Sequence, residues 1–305
     1  MEMLDTVSGN AAEIMGSGDI AFPHLGIYLH NVPQGFSVFG FYIAFYGVII
    51  GIGMLLAFAL ITRQAKKQGM NPEDFFDAGI YAIIFGILGA RIYYVIFQWD
   101  YYSENLSQII NIRGGGLAIY GGAIAGGLTL FIYCRIKKKD FLAMSDIAFM
   151  GMLVGQICGR WGNFMNREVF GTYTDNLLAM RIPIDAVRLR DIDEAIAMHI
   201  GNSNFIQVHP TFLYESIYNL ILLILILVFQ KKKHFNGEVT LWYFGGYGIG
   251  RFIIEGIRTD RLLIAHTNIA VSQMLGLCLF VAALVIDIVV NVNMSRRKIT
   301  EEASK

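Results

Sequence analysis

The hydrophobic positions of this chain are gathered into long runs, roughly over 38–62, 77–98, 117–134, 141–159, 211–230, 239–257 and 268–293. Most are about 18–25 residues, enough at 1.5 Å per residue to cross a hydrocarbon core of about 30 Å. They predict an all-α membrane protein, a polytopic bundle of about seven transmembrane helices. The polar positions between the runs predict the rest of the plan. An arm occupies 1–37, the membrane domain 38–293, and a tail 294–305, with 160–208 inserted as a small extracytoplasmic head. Within the head, Met180-Arg181-Ile182-Pro183-Ile184 alternates as a short strand does, and 191–200 reads as a short helix.

The basic residues alternate from one connection to the next. Arg63, Lys66 and Lys67 follow the first run, Arg135 and Lys137–Lys139 the third, Lys231–Lys233 the fifth, and Arg296, Arg297 and Lys298 the seventh. The intervening short segments carry only Arg113 on one side, and Arg258 and Arg261 on the other. The positive-inside rule then puts the N-terminus outside and the C-terminus in the cytoplasm, which needs an odd number of crossings.

Composition agrees. Charged residues make up 16% of the chain and hydrophobic ones 55%, with a mean hydropathy of +0.52. A soluble domain would carry about 25% charged residues. Net charge is zero, so there is no basic field to attract nucleic acid. Cys134, Cys158 and Cys278 lie scattered in apolar runs, which excludes a disulfide framework or metal cluster. The acidic start (Glu2, Asp5, Glu13, Asp19), without Lys or Arg before Arg63, is not a secretory signal, so the first run is expected to be a retained helix. Gly151, Gly155 and Gly159 share one helix face, and Gly121-Gly122 and Gly126-Gly127 repeat the device, so helices should approach closely there.

Ionisable groups inside the runs carry the chemical argument, because a charge in hydrocarbon costs several kcal/mol and marks a site when it is kept. Tyr247, Arg251, Glu255 and Arg258 are spaced +4, +4 and +3 and share one helix face. Arg251 lies about 18 Å from the Val239 end, on the outer side of the bilayer centre. Glu255 is placed to pair with it, either at a site or merely to tie helices together. A second cluster, Gly159-Arg160-Trp161-Gly162-Asn163-Phe164-Met165-Asn166-Arg167-Glu168-Val169-Phe170-Gly171, begins where the fourth run reaches the outer face. Arg160, Asn163, Asn166 and Glu168 there are either ligand-binding groups or an interfacial turn with a snorkelling arginine. Arg160 and Arg251 at one depth would make a phosphate clamp. His209-Pro210 opens the fifth run, Gly114–Gly122 opens the third, and Tyr46 sits mid-run in the first, its hydroxyl needing a partner. No Walker loop, His-Glu-x-x-His helix or Gly-x-Ser-x-Gly elbow is present, so no metal, cofactor or nucleotide chemistry is expected.

At Gly159–Gly171 the chain resembles bacterial prolipoprotein diacylglyceryl transferases. Phe45-Tyr46-Gly47, Gly89-Ala90-Arg91-Ile92-Tyr93-Tyr94, the glycines around Tyr120, Ser145-Asp146, His209-Pro210 with Tyr214-Glu215, and Tyr247-Gly248 followed by Arg251 and Glu255 agree in order. The resemblance spans about 40–290. It implies transfer of a diacylglyceryl group from phosphatidylglycerol to the lipobox cysteine thiol of a membrane-tethered prolipoprotein, at the bacterial cytoplasmic membrane. It also implies that Arg160 and Arg251 are essential. Asn163, Glu168, Gly171, Tyr46, Tyr247 and Glu255 would surround the lipid headgroup, with Asn166 and Arg258 nearby and Arg91, Asp146, His209 and Glu215 in support. Many members of that family carry a histidine, a proposed base, where this chain has Tyr120. A phenol of pKa about 10 is a poor base unless arginines lower it. Tyr120 is therefore expected to position the headgroup, or to act as a base only with a depressed pKa, and His209 is an alternative. The competing class is a transporter or channel using the Arg251/Glu255 face, which would show inverted repeats and helices broken at mid-membrane.

Overall fold

A computed structural model describes residues 14–112, 114–265, 267 and 269–303. Residues 1–13 of the expected arm, Arg113, and residues 304–305 of the tail lie outside the described residues. The chain divides into two units, one of residues 1–55, 153–228 and 241–305, the other of residues 56–152 and 229–240.

In the first unit the head is built from two distant parts of the chain. β1 (Ile20–Phe22) and β2 (Ile27–Leu29) come from the arm, β5 (Met180–Pro183) and β6 (Phe205–Val208) from the insertion. They form one antiparallel sheet in the order β2-β1-β5-β6, with Ala21 opposite Arg181. The alternation at 180–184 is real: Met180 and Ile182 are buried with Ile206 and Val208, against Ile20, Phe22, Phe170, Ile196 and Phe212. The expected helix at 191–200 shrinks to α6 (Glu194–Ala197), started by the Asp193 carboxylate accepting from the Ile196 amide at 2.8 Å.

The first apolar run does not begin as a helix. Gly35–Val38 and Phe41–Ala44 pair as the hairpin β3–β4, turning at Phe39 and Gly40 with φ of 50° and 81°. Two positive φ values make the tight turn that suits strand twist. Helix α1 (Phe45–Lys67) therefore starts seven residues later than the run, and Tyr46 is its second residue and not a mid-span one. An aromatic run with one glycine has no period that separates strand from helix.

Helices α5 (Phe141–Asn166), α7 (Thr211–Phe229), α8 (Glu238–Glu255) and α9 (Val271–Ala303) supply the remaining frame of this unit, each with all or part of its length. A Cβ on Gly246 would fall 2.4 Å from Leu222, and one on Gly250 2.1 Å from Tyr218, so α8 runs antiparallel to α7. Gly248 and Gly276 meet face to face: a Cβ on either would sit 2.5–2.6 Å from the other's carbonyl oxygen. That contact sets α9 antiparallel to α8, and only glycines permit it. α1 crosses α5 with Gly53 against Cys158 and Tyr46 against Gly162. The expected glycine face of α5 is uneven: Gly151 is tight against Ile61, whereas Gly155 faces open space.

In the second unit, α2 (Pro72–Phe97) starts at Asn71, whose side chain accepts from the Glu73 amide. The short α3 (Trp99–Glu104) follows, and α4 (Ile119–Lys137) packs on α2 through Gly89, Gly121 and Ala125. Among the described residues, six helices are long and apolar enough to cross a membrane: α1, α2, α4, α5, α7 with the turn after it, and α9. The seventh expected crossing, α8, misses that measure because its 18 residues include Glu238, Arg251 and Glu255. It still returns alongside α7 over most of its length.

Candidate active site

The site lies in the first unit, where the 166 end of α5, the start of α7 and the end of α8 meet. The signature at 159–171 is helical as far as Asn166, so α5 extends beyond the run that ended at 159, and the expected turn begins only at Arg167. There the backbone enters the left-handed region twice, at Arg167 (φ 54°) and Val169 (φ 60°). A β-branched residue in that region is strained and must be held by its surroundings. Neighbouring side chains and backbone hold it. Thr211 Oγ1 donates to the Val169 carbonyl, and the Glu168 amide donates to Asn163 O at 3.1 Å. The Arg167 guanidinium donates to Gly18 O at 2.7 Å and Val32 O at 2.6 Å, tying the turn to the arm. The Gly171 amide donates to His209 O and the Thr172 amide to Ile257 O, so the turn stitches α7 to α8. A Cβ on Gly171 would lie 2.8 Å from both His209 and the Ile257 oxygen, which explains glycine at that position.

The effect of the turn is to send Glu168 back over the end of α5. Its Oε1 accepts from Asn163 Nδ2 and Asn166 Nδ2, both at 3.1 Å, and its Oε2 lies 3.4 Å from Arg188 of the head. Asn163 is thereby oriented so that its Oδ1 accepts from Arg160 Nη1 at 3.3 Å. Arg160 Nη2 lies 2.8 Å from Glu215 Oε2 on the first turn-and-a-half of α7. From α8, Arg251 Nη1 reaches the other oxygen, Glu215 Oε1, at 3.3 Å, and Arg251 Nη2 pairs with Glu255 at 2.6 Å. The shared face of Tyr247, Arg251 and Glu255 is therefore as the spacing predicts, although Arg258 comes from the turn after α8. Arg258 grips Asp260 with Nε at 2.9 Å and Nη2 at 2.8 Å, while its Nη1 stands 3.6–3.7 Å from Glu255 and Glu215. Ser272 of α9 donates to Glu255.

The outcome is one connected chain of charge, Glu255–Arg251–Glu215–Arg160–Asn163–Glu168–Arg188. Arg160 and Arg251 approach a single two-oxygen anion from different helices, Arg160 at Oε2 and Arg251 Nη1 across both oxygens at 3.3 and 3.4 Å. A site of that form selects a compact anion with two equivalent oxygens, which carboxylates and phosphodiesters both offer.

Around this centre, the Tyr46 ring packs on Gly162, two residues from Arg160, and Tyr247 stacks on Tyr243 at 5.7 Å. Gln156, one turn before Arg160, donates to the Tyr243 hydroxyl at 2.9 Å. Trp161 donates to Ser216 Oγ and stacks edge-on with Phe164 and Phe212, fixing α5 against α7. His209 Nδ1 lies 3.2 Å from the Tyr214 hydroxyl, and burial pushes its imidazole below the ordinary value, so it is neutral near pH 7.

Three expected site residues belong to the second unit. Arg91 is enclosed by backbone oxygens, its guanidinium donating to Gln108, Ile109, Gly115 and Gly116, with the Tyr102 ring 5.1 Å away. It fixes the glycine-rich approach to α4, of which Tyr120 is the second residue. Asp146 is fully buried and caps the start of α8: it accepts from the Gly237 and Thr240 amides and the Thr240 hydroxyl and pairs with Lys233 at 3.0 Å. Its work there is architectural. Sequence reasoning omitted Arg188, Asp260 and Ser272, and it left Glu215 in a supporting part. An acid four residues into an apolar helix carries the same warning as Arg251, so Glu215 was findable. Arg188 and Asp260 sit in polar loops, where nothing distinguishes them.

The sequence pattern of the prolipoprotein diacylglyceryl transferase family matches residues 33–289. Among curated proteins, the chain is 43% identical over 254 residues to a phosphatidylglycerol–prolipoprotein diacylglyceryl transferase of Finegoldia magna, covering 83% of this chain and 93% of that one. It is 43% identical over 235 residues to the protein of the same name from Clostridioides difficile, covering 77% and 86%. With that from Enterococcus faecalis it shares 40% identity over 272 residues, covering 88% and 94%.

Proposed function

The chain belongs to the prolipoprotein diacylglyceryl transferase family, and from that premise we propose that it moves the diacylglyceryl group of phosphatidylglycerol onto the lipobox cysteine of a prolipoprotein. The observation that carries this reading is the convergence of Arg160 and Arg251 on one anion position. In the reaction the cysteine thiol loses its proton and the sulfur attacks the glyceryl carbon that bears the phosphate. A thioether bond forms and the carbon–oxygen bond breaks. The electron pair leaves on the phosphate oxygen, and glycerol phosphate departs. Negative charge thus grows on the leaving phosphate, where two positioned guanidiniums in a low-dielectric site stabilise it most.

Asn163 and Glu168 hold Arg160 in line, with Asn166 bracing Glu168. Tyr46 and Tyr247 flank the headgroup, Glu255 aligns Arg251, and Gly171 keeps the turn closed. The basic ends of α1, α4, α7 and α9 face the cytoplasm of a bacterium, and the head and N-terminus lie outside, where donor lipid and lipobox are both accessible. α8 is the seventh crossing.

The test mixes purified protein with phosphatidylglycerol and a lipobox peptide and looks by mass spectrometry for a diacylglyceryl adduct on the peptide cysteine. Wild type forms the adduct; folded Arg160→Ala and Arg251→Ala do not. A folded wild type that forms no adduct with several phosphatidylglycerols overturns the reading, and solute flux in proteoliposomes then tests a transporter.

A further inference from the structure

We propose that Glu215 is a displaceable counter-anion: it occupies the phosphate position between Arg160 and Arg251 until donor lipid arrives, and then moves to Arg258. The proposal rests on the phosphate-clamp reading above.

Arg160, Arg251 and Arg258 face Glu215, Glu255 and Asp260. Arg251 has its own acid in Glu255 at 2.6 Å, and Arg258 has its own in Asp260, gripped by two nitrogens. Glu215 is the shared one. It is only 4% exposed, and it bridges the two arginines of the clamp, with Oε2 at 2.8 Å from Arg160 and both oxygens at 3.3–3.4 Å from Arg251 Nη1. An acid serving only to neutralise one buried arginine would form a fork with that arginine, as Asp260 does. Glu215 instead has the stance of a ligand.

A clamp of two guanidiniums in a dry site cannot stand empty, because uncompensated buried charge costs several kcal/mol. Nor can it be permanently filled if it is to bind a phosphate. A phosphodiester carries one negative charge and presents two anionic oxygens, so it replaces the Glu215 carboxylate charge for charge and oxygen for oxygen. The displaced carboxylate needs a cation within reach. Arg258 Nη1 supplies it, 3.7 Å from Glu215 Oε1, close enough for a side-chain rotation to bring it to hydrogen-bond distance. A departing glycerol phosphate would be followed back by Glu215, which favours product release.

The experiment uses the full-length protein in phosphatidylglycerol vesicles and in detergent. It measures KM and kcat for transfer and, separately, binding of glycerol phosphate by calorimetry. Glu215→Gln removes the competitor, so KM for the lipid and the Kd for glycerol phosphate should each fall about tenfold, while kcat does not rise. Arg258→Gln removes the refuge, so both should rise, and that rise should vanish in the double variant. Glu215→Asp, one methylene too short to bridge both arginines, replaces Glu215→Gln throughout if the latter does not fold, with a smaller fall expected. A folded Glu215 variant with KM and Kd raised or unchanged overturns the proposal, as does an Arg258→Gln effect that persists in the double variant. The calorimetry separates the two hypotheses: glycerol phosphate binding that follows this pattern without any lipid transfer sinks the transferase reading and leaves the counter-anion standing.

Discussion

At the scale of single residues, the site depends on the fork geometry of its arginines. Arg160 uses separate nitrogens for Asn163 and Glu215, and Arg251 for Glu215 and Glu255. A lysine ammonium offers a point charge with no such division. Arg160→Lys is therefore expected to keep the fold and lose about 100-fold in kcat/KM, in steady-state transfer assays. Asn163→Ala should cost less, about tenfold, since it removes one neutral hydrogen bond to Arg160 at 3.3 Å and leaves the charge in place. Val169 gives a stability test: at φ 60° glycine relieves strain, so Val169→Gly should not lower the Tm, against the usual penalty for glycine. Of this scale the sequence revealed the functional face of α8, because 100° per residue is a strong constraint. It placed Glu215 only in support: an acid in an apolar run was the one available signal, since its three arginine partners lie elsewhere in the chain and share no spacing with it.

At the scale of elements, the glycines divide into those in contact and those that are not. Gly248 and Gly276 each face the other's backbone oxygen, which cannot step aside, so Gly248→Ala should cost on the order of 2 kcal/mol of stability, read as a lower Tm in detergent. Gly155→Ala, facing open space, should be neutral or stabilising by up to about 1 kcal/mol from helix propensity. Sequence spacing assigned Gly155 to helix packing in the same way as Gly151, which is tight against Ile61, since small-residue patterns show a permitted approach and not an actual neighbour. Element ends were the least legible part. Most of the hairpin, 38–44, was absorbed into the first run, and α5 was ended about two turns early because Arg160 and Asn163 are polar. The arm also carries a pH response. The Asn31 amide, hydrogen-bonded to Asp19, holds that carboxyl below its ordinary 3.8, helped by the Gly16 amide. A carboxyl lowered in the fold contributes stability above 3.8 that is lost as pH falls through the folded value. Pepsin cleavage within 16–31 should therefore rise only below pH 3.8, and Asp19→Asn should abolish the dependence.

At the scale of the whole molecule, membrane crossings and contacts constrain each other. Four apolar helices separate β1 from β5, yet the two strands pair, so an even number of crossings lies between them. Thr172 bonds to Ile257 across α7 and α8, so a crossing by α7 requires a return by α8 despite its charges, as proposed above. Single cysteines at Leu25, Arg190 and Asp260 should all be labelled by an impermeant thiol reagent from one side, and cysteines at Lys67 and Lys232 from the other. A reactive Asp260 position on the same side as Lys232 would remove α8 from the count. The overall plan was legible because apolar length and basic ends are global features, while the joining of arm and head was not, since strand partners so distant leave no trace in either segment.

That joining has a consequence in time. Ala21 waits for Arg181, about 160 residues later in synthesis, which at about 5–20 residues per second is on the order of 10–30 s. Until then β1 presents an open strand edge on the β5 side, while the four apolar helices α1, α2, α4 and α5 are still being made. An open edge is a template on which another chain can pair, so this interval is when the arm is most exposed to wrong partners.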